Sequence, residues 1–173
     1  YIPSNVEFKS DNSGGLGGTF AVCKNLKTAY VASEVCQSMF SGCTALKEVY
    51  FTPDNVAKYV DDRAFEGCTA LEKVDFTRKS NNSLAICYFV FDNCPSLKEI
   101  VWGSNVECYS YFHSSENLEK VMIFGSPDPS NLIDCSFSSN AKIYMFKKYC
   151  DLYGDPKSNF YIQNAVPLHT IYE

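Results

Sequence analysis

Apolar residues recur along the chain in a fixed pattern. The segment "MFSGCTALKEVYF" at 39–51 returns as "AFEGCTALEKVDF" at 64–76 and as "VFDNCPSLKEIVW" at 90–102. Two less regular copies, "TFAVCKNLKTAYV" at 19–31 and "YFHSSENLEKVMI" at 111–123, complete five units. The shared pattern FxxCxxLxxVxF begins at phenylalanines 20, 40, 65, 91 and 112, so successive units are 20, 25, 26 and 21 residues apart. A constant core with variable spacers predicts a solenoid of stacked turns.

The end of each unit alternates between apolar and variable positions. This period of two predicts a β-strand with one buried face. A single turn of about 23 residues loses ~1–2 kcal/mol of backbone entropy per residue, and its few buried side chains return only ~1.5–3 kcal/mol each. One turn alone is therefore unstable, and we expect the turns to stack with their strands paired edge to edge. The apolar positions are Val49 and Phe51, Val74 and Phe76, Ile100 and Trp102, and Val121 and Ile123.

One cysteine occupies the same place in four units, at Cys23, Cys43, Cys68 and Cys94, and Ser115 replaces it in the fifth. Stacking predicts a column of these side chains inside the coil, where the small apolar thiol is readily buried. Parallel side chains on neighbouring strands do not converge, which strains a disulfide, so we favour free structural thiols. A second column is expected from three cysteines that each lie four residues before a repeat phenylalanine, and Cys135 with Cys150 is the pair to watch for a bond. The second column comprises Cys36, Cys87 and Cys108.

The AFxxCxxLxxVxF unit, with its continuation "TPDNVAKYVDDRAF" at 52–65, resembles the BspA-like (Treponema pallidum-type) leucine-rich repeat of surface proteins. The "YIPSNV" at 1–6 and "WGSNV" at 102–106 resemble the link that follows each strand in that family. The resemblance implies an α/β repeat fold: a right-handed solenoid with a parallel sheet on its concave face and short helices or 3-10 turns opposite. We expect one domain, with a solenoid at 1–125 whose first repeat is truncated and a last turn and cap at 126–173.

Residues beyond 125 lose the repeat but keep two recognisable elements. "AKIYM" at 141–145 is a last alternating strand, and "FKKYCDLYG" at 146–154 predicts a short helix ended by Gly154. A terminal unit must cover the exposed last row of core residues. The side chains expected to do so are Phe146, Tyr149, Cys150 and Tyr153.

Composition and charge exclude several classes of function. The formal net charge is −5 and the 15 Lys and Arg are scattered, so no nucleic-acid partner is expected. No apolar stretch is long enough to span a bilayer. The two histidines, His113 and His169, are 56 positions apart and predict no catalytic pair. We expect no cofactor and no metal, since the spacing of Asp54, Asp61 and Asp62 matches no calcium loop.

The outward face of the predicted sheet is the candidate binding surface. Stacking aligns the residues between the buried ones into a row rich in aromatic and apolar side chains, which are enriched at protein contacts. Strands also favour Tyr and Val for structural reasons alone, which leaves a purely structural role open. The predicted ligand-binding residues are Tyr30, Tyr50, Asp75, Val101, Met122 and Phe124.

The resemblance implies a non-enzymatic recognition module, extracellular or on a bacterial cell surface, that binds a protein or glycan ligand such as host extracellular matrix. A monomer is expected. Two alternatives remain at this point. The first alternative is a structural spacer that presents another domain. The second is a carbohydrate-binding module, which the aromatic content of 15% favours.

Overall fold

A computed structural model describes residues 17–55, 57–77, 79, 83–103, 105–109, 116–124, 140–153 and 165–167. Ten strands and one helix fall within these residues. The helix is α1 (Lys147–Tyr153). The strands are β1 (Thr28–Val31), β2 (Glu48–Phe51), β3 (Tyr59–Val60), β4 (Lys73–Asp75), β5 (Leu84–Ile86), β6 (Glu99–Trp102), β7 (Val106–Cys108), β8 (Lys120–Ile123), β9 (Lys142–Met145) and β10 (Ala165–Pro167).

The predicted strands stack into one parallel sheet of seven, in the order β1-β2-β4-β6-β8-β9-β10. The register joins equivalent repeat positions, so that Val49 pairs with Val74, Val74 with Ile100 and Ile100 with Val121. All the alternating apolar residues of these strands are buried, from Val49 to Ile123. The stacked solenoid with a parallel sheet is thus confirmed.

The repeat phenylalanines form a continuous column in the core. Phe40 stacks on Phe65 with 5.2 Å between ring centroids, and Phe65 stacks on Phe91 at 5.8 Å. Phe20 stacks on Phe40 at 5.5 Å but is only half-buried, because it belongs to the first described turn. Phe112 lies outside the described residues. Each ring therefore completes the packing of the turn beside it, as the entropy argument requires.

The cysteine column is present, and each of its buried thiols has a specific partner. Cys43 Sγ donates a hydrogen bond to the carbonyl oxygen of Phe20 at 3.0 Å. Cys68 and Cys94 repeat this contact with the carbonyls of Phe40 and Phe65, each at 3.2 Å. Burial raises the pKa of the Cys94 thiol to about 12, which keeps it protonated and able to donate.

Two expectations about the cysteines are wrong. Cys23 is exposed, because it lies at the edge of the described turns. The second column does not form either, since Cys108 pairs with Ile86 and not with Cys87. Cys36 and Cys87 sit in equivalent places two turns apart with Asp61 between them, as shown by the bridge of Val35 to Val60 and the pairing of Val60 with Ile86. Cys135 lies outside the described residues.

The turns that precede the cysteine column require left-handed backbone. Gly42 and Gly67 both have φ of 70°, a region that glycine enters without steric cost. The equivalent residues in the flanking turns are Val22, with φ of 59°, and Asn93, with φ of 55°. A β-branched residue is strained there, so Val22 marks the least well adapted of these four turns.

A second parallel sheet, which sequence reasoning missed, lies across the core from the first. It contains β3, β5 and β7, with Val60 paired to Ile86 and Leu84 to Val106. Its inward residues belong to the same core as the phenylalanine column. Turns and this sheet, with no helix among the described residues there, form the side opposite the seven-stranded sheet.

Asn55 fixes the link between the two sheets. Its side chain is completely buried, and its Nδ2 donates to the carbonyls of Val31 at 3.0 Å and Ser33 at 3.2 Å. Its Oδ1 accepts a hydrogen bond from the backbone N–H of Ala57 at 2.9 Å. Its Oδ1 thereby supplies an acceptor for the buried Ala57 N–H in the turn between β2 and β3, and its Nδ2 ties that turn to the end of β1 and the segment after it.

The C-terminal cap is confirmed in outline. The predicted last strand is β9, and α1 follows it with Tyr149 and Cys150 packed partly against the core. Phe146 was expected to cover the core but is 46% exposed, because it precedes α1 and faces away. The side chain of Tyr153 lies outside the described residues. A further strand, β10, pairs in parallel with β9 and extends the sheet beyond the helix.

Candidate functional site

The parallel register assembles the predicted binding row on the outward face of the seven-stranded sheet. Tyr30 pairs with Tyr50 and Tyr50 with Asp75, and the row then passes through Val101 to Met122. It continues to Tyr144 of β9, which the prediction omitted. The alternation in "AKIYM" was the signal that places Tyr144 on this face. We call Tyr30, Tyr50, Asp75, Val101, Met122 and Tyr144 the sheet row.

The two tyrosines at one end of the sheet row form an accessible aromatic pair. Their rings stack with 5.5 Å between centroids and 17° between planes. Tyr30 is 48% exposed because its strand β1 has β2 on one side only among the described strands, and Tyr50 is half-buried. Partial desolvation and the neighbouring Glu48 carboxylate raise the pKa of Tyr50, so its hydroxyl stays neutral and can donate.

The centre of the sheet row is less accessible than expected. Val101 is 3% exposed and Met122 is 8% exposed, so the prediction of an exposed apolar strip is wrong at these two positions. Each side chain is flanked on both sides by the row, Val101 by Asp75 and Met122, and Met122 by Val101 and Tyr144. Side chains on neighbouring strands are only ~5 Å apart and cover one another.

Asp75 and Phe124 remain half-buried at the surface. The Asp75 carboxylate accepts a hydrogen bond from the backbone N–H of Thr77 at 2.8 Å, which orients it. Phe124 follows β8, and its N–H donates to the carbonyl of Trp102 at 2.9 Å. Both are therefore held by the backbone of the sheet while part of each side chain reaches solvent.

A row of paired charges runs beside the sheet row. Lys73 Nζ lies 2.8 Å from Glu99 Oε1, and Lys120 Nζ lies 3.5 Å from Glu99 Oε2. Burial opposes ionisation of Glu99 and by itself would raise its pKa. The Lys73 and Lys120 ammonium groups outweigh this effect, so the pKa of Glu99 is lowered. The hydrogen bond to Glu99 raises the pKa of Lys73. The Lys120 ammonium also lies 6.0 Å from the Tyr144 ring centroid, which connects the charges to the sheet row.

The carboxylates considered for calcium do not assemble as a group of three aspartates. Asp61 and Asp62 instead meet the Cys87 thiol, with one ligand atom from each within 4.8 Å of the others. Burial and the two carboxylates raise the pKa of Cys87 to about 11, so the thiol is protonated at neutral pH and is a poor metal ligand there. The Asp62 carboxylate already accepts from the Tyr88 N–H at 3.0 Å.

In the part of the chain that the structure describes, no helix has both the length and the apolar character needed to cross a membrane. His113 and His169 both lie outside that part, as does Ser115 of the cysteine column. The site that the structure does assemble is the outward face of the seven-stranded sheet, with stacked aromatic rings at one end of the sheet row and paired charges beside it. Such a surface suits contact with a macromolecule.

Comparison with known proteins agrees with this geometry. A search of curated proteins and a search of solved structures each gave no significant match. A family model for the BspA type leucine rich repeat region matches residues 17–144 in six copies. The five units read from the sequence end at residue 123, and the matched region extends through β9 almost to its end, so the last turn is also part of the repeat. The chain therefore belongs to the BspA-type leucine-rich repeat family.

Proposed function

We propose that this protein is a non-enzymatic recognition module, extracellular or on a bacterial cell surface, that binds a protein ligand through the outward face of its seven-stranded sheet. The BspA-type family suggests a surface recognition or adhesion module, and stacked repeats commonly bind through their extended sheet. The residues proposed to carry binding are Tyr30, Tyr50, Asp75 and Phe124, now joined by Tyr144. The module acts as a monomer and needs no cofactor.

The stacked pair of Tyr30 and Tyr50 is the observation that carries this proposal. Tyrosine rings bury a large area on binding at a low cost in side-chain entropy, and their hydroxyls supply hydrogen bonds. The stacking already restricts both rings, so less entropy is lost when a partner docks. The buried Val101 and Met122 then act as a firm floor, and the accessible anchors lie at the two ends of the row.

The charged row supports recognition over catalysis. A catalytic acid or base needs a pKa near the working pH. On this face the pKa of Glu99 is lowered and that of Lys73 is raised, so both shifts lead away from neutrality. Paired charges that stay ionised are suited to selecting a partner of complementary charge and to setting its orientation.

The test compares a sheet-face variant with a variant on the opposite side of the solenoid. Immobilised collagen and laminin serve as probes for surface plasmon resonance with the purified chain. We expect the double variant Tyr30→Ala with Tyr50→Ala to bind its partner at least tenfold more weakly, as is typical for paired aromatic anchors. Tyr59→Ala, which removes an exposed tyrosine from the other sheet, is the matched control and keeps wild-type affinity.

Circular dichroism must show that the double variant unfolds at a temperature close to that of the wild type. Binding that survives removal of both rings in a folded protein would overturn the proposal. Equal loss in the Tyr59→Ala control would place protein recognition elsewhere. Failure of the wild-type chain to bind any of the protein probes, while it remains folded, would favour the spacer role.

A further inference from the structure

The three-stranded sheet carries a pocket on its own outward face. The register places Tyr59 of β3, Ala85 of β5 and Glu107 of β7 side by side. The pocket has a volume of about 290 Å³ and is lined by these three residues with Lys58 and Ser83. Ala85 is the smallest of the three aligned side chains, so it forms a floor between Tyr59 and Glu107.

The acidic wall of the pocket is held in place. Ser83 Oγ donates a short hydrogen bond to Glu107 Oε1. Tyr109 donates its hydroxyl proton to Glu107 Oε2 at 3.2 Å, and this bond raises the pKa of Tyr109. Both oxygens of the carboxylate are therefore fixed, and each keeps further acceptor capacity for a ligand. A fixed acceptor beside an open pocket is a pre-organised binding feature.

Exposed aromatic rings continue from this pocket along the same side of the solenoid. Tyr59 is 52% exposed, and Tyr88, Phe89 and Tyr109 are 50%, 49% and 46% exposed. Burial would stabilise such rings, so their exposure in one region calls for a partner. We call Tyr59, Tyr88, Phe89 and Tyr109 the aromatic patch.

The position of Phe89 in the aromatic patch is set by the repeat turn that carries it. Phe89 has a left-handed φ of 58° at a turn position where earlier repeats carry Gly18, Ser38 and Arg63. The left-handed conformation recurs at this position in four successive units, so it belongs to the repeat turn, and Phe89 is the apolar ring that the turn displays to solvent. The Arg63 guanidinium lies 5.2 Å from the Phe89 ring centroid and steadies the exposed ring.

We propose that the pocket and the aromatic patch bind a neutral carbohydrate chain. A pyranose ring has an apolar C–H face and a rim of hydroxyl groups. The Tyr59 ring stacks against the apolar face of the sugar. The Glu107 carboxylate and the Lys58 ammonium form hydrogen bonds with its hydroxyl groups. The one lysine and the one glutamate of the pocket offset each other, so the complementary ligand carries no net charge.

The dimensions fit one sugar ring. Neighbouring strands lie ~4.8 Å apart, so the backbones of Tyr59 and Glu107 are separated by ~10 Å across the Ala85 floor. A single pyranose ring fills such a gap, and its neighbours in an extended chain pass onto Tyr88 and Tyr109. This site is separate from the sheet row. The proposal of carbohydrate binding is therefore tested independently of the proposal of protein binding at the sheet row.

Affinity electrophoresis in native gels tests the proposal with the full chain. The neutral probes are hydroxyethylcellulose, mixed-linkage β-glucan and galactomannan, and the anionic comparison is hyaluronan. We expect at least one neutral polysaccharide to retard the wild-type protein. Tyr59→Ala and Glu107→Gln should each weaken this retardation at least fivefold, and Ala85→Leu, which fills the floor, should abolish it. Phe146→Ala, which removes an exposed ring outside both the sheet row and the aromatic patch, is the control and should be retarded like the wild type.

Each variant is first shown to unfold at the wild-type temperature, and Tyr59→Phe, which keeps the ring, should retain most of the retardation. Three results would overturn the proposal: no retardation by any neutral polysaccharide, equal retardation of wild type and Tyr59→Ala, or retardation by hyaluronan alone. Loss of protein binding in the Tyr30 and Tyr50 double variant has no bearing on this outcome.

Discussion

The two parallel sheets of this solenoid share one core but differ in how their outward faces are composed. On the seven-stranded sheet the central row side chains cover one another and the adjacent charges are paired, as in Lys73 with Glu99. On the three-stranded sheet the strands are only two or three residues long, and four aromatic rings near them are about half exposed. On the longer sheet, neighbouring residues cover the apolar side chains and pair the charges. On the shorter sheet, the aromatic rings are left in contact with solvent.

This difference between the two outward faces indicates which part of a repeat protein can vary its surface residues. The seven-stranded sheet is built from the constant part of each unit, whose side chains must match those of the next turn. The three-stranded sheet is built from the spacers, where one unit is 20 residues from the next and another 26. Spacer positions face fewer packing demands, so residues such as Phe89 can be retained there at a cost in stability.

The largest effect should come from the core that both sheets share. Phe65→Ala removes a fully buried ring that stacks on both Phe40 and Phe91, and we expect a loss of about 3–5 kcal/mol in the free energy of unfolding. Urea unfolding followed by circular dichroism measures it. Phe89→Ala removes an exposed ring and should change stability by less than ~0.5 kcal/mol. Near-equal effects of the two substitutions would contradict a continuous shared core.

An intermediate effect should come from the link between the sheets. Asn55→Ala removes three hydrogen bonds to buried backbone groups, and we expect a loss of about 2–3 kcal/mol. Hydrogen exchange should accelerate most at the Ala57 amide, which loses its acceptor. Thr52→Ala is a nearby control that removes only an exposed bond to Asp54. A uniform loss of protection across both sheets would show that Asn55 has no local role in joining them.

The smallest effect should come from the charges on the longer sheet. Glu99→Gln breaks two partly exposed ion pairs and should cost about 0.5–1 kcal/mol at pH 7. Because the folded-state pKa of Glu99 is lowered, its contribution is complete above the ordinary glutamate pKa of ~4.3 and disappears as the pH falls through the lowered value. Urea unfolding of the wild type and of Glu99→Gln is measured between pH 7 and pH 2.5. The difference between their free energies of unfolding should shrink as the pH falls and vanish at the lowest pH.

Glu72→Gln is the control for that measurement, since the pair of Lys47 with Glu72 is 3.4 Å long and more than half exposed on both sides. It should cost less than the Glu99 substitution at pH 7. A difference between wild type and Glu99→Gln that stays constant down to pH 2.5 would show that the carboxylate acts through packing and not through charge.

Much of the fold could be predicted because the repeated pattern shows which positions are buried and how far apart successive turns lie. The spacing of Phe40, Phe65 and Phe91 fixed the period, and the alternation of Val49 with Phe51 identified strands and their buried face. The same register placed Tyr30 beside Tyr50. These inferences succeed because a stacked turn sees nearly the same neighbours as the next one, so one local pattern determines many contacts.

The second sheet was missed because its strands are too short for periodicity to show. Tyr59 and Val60 form a strand of two residues, and the spacer lengths change from turn to turn. The changed spacing also explains the error over Cys108, since counting back from the phenylalanine gives the wrong partner when a spacer is shorter. The burial of Val101 and Met122 depends on the size of neighbouring side chains, which alternation alone does not report.

The hydrogen bonds of both sheets run from turn to turn, along the direction in which the coil grows. A force applied to the two ends of the coil therefore loads these bonds in series and detaches one turn at a time. Each detached turn of about 25 residues releases ~85 Å of slack chain. Under tension such a protein lengthens in steps and dissipates work at each one, while the turns that have not yet opened keep their folded surface.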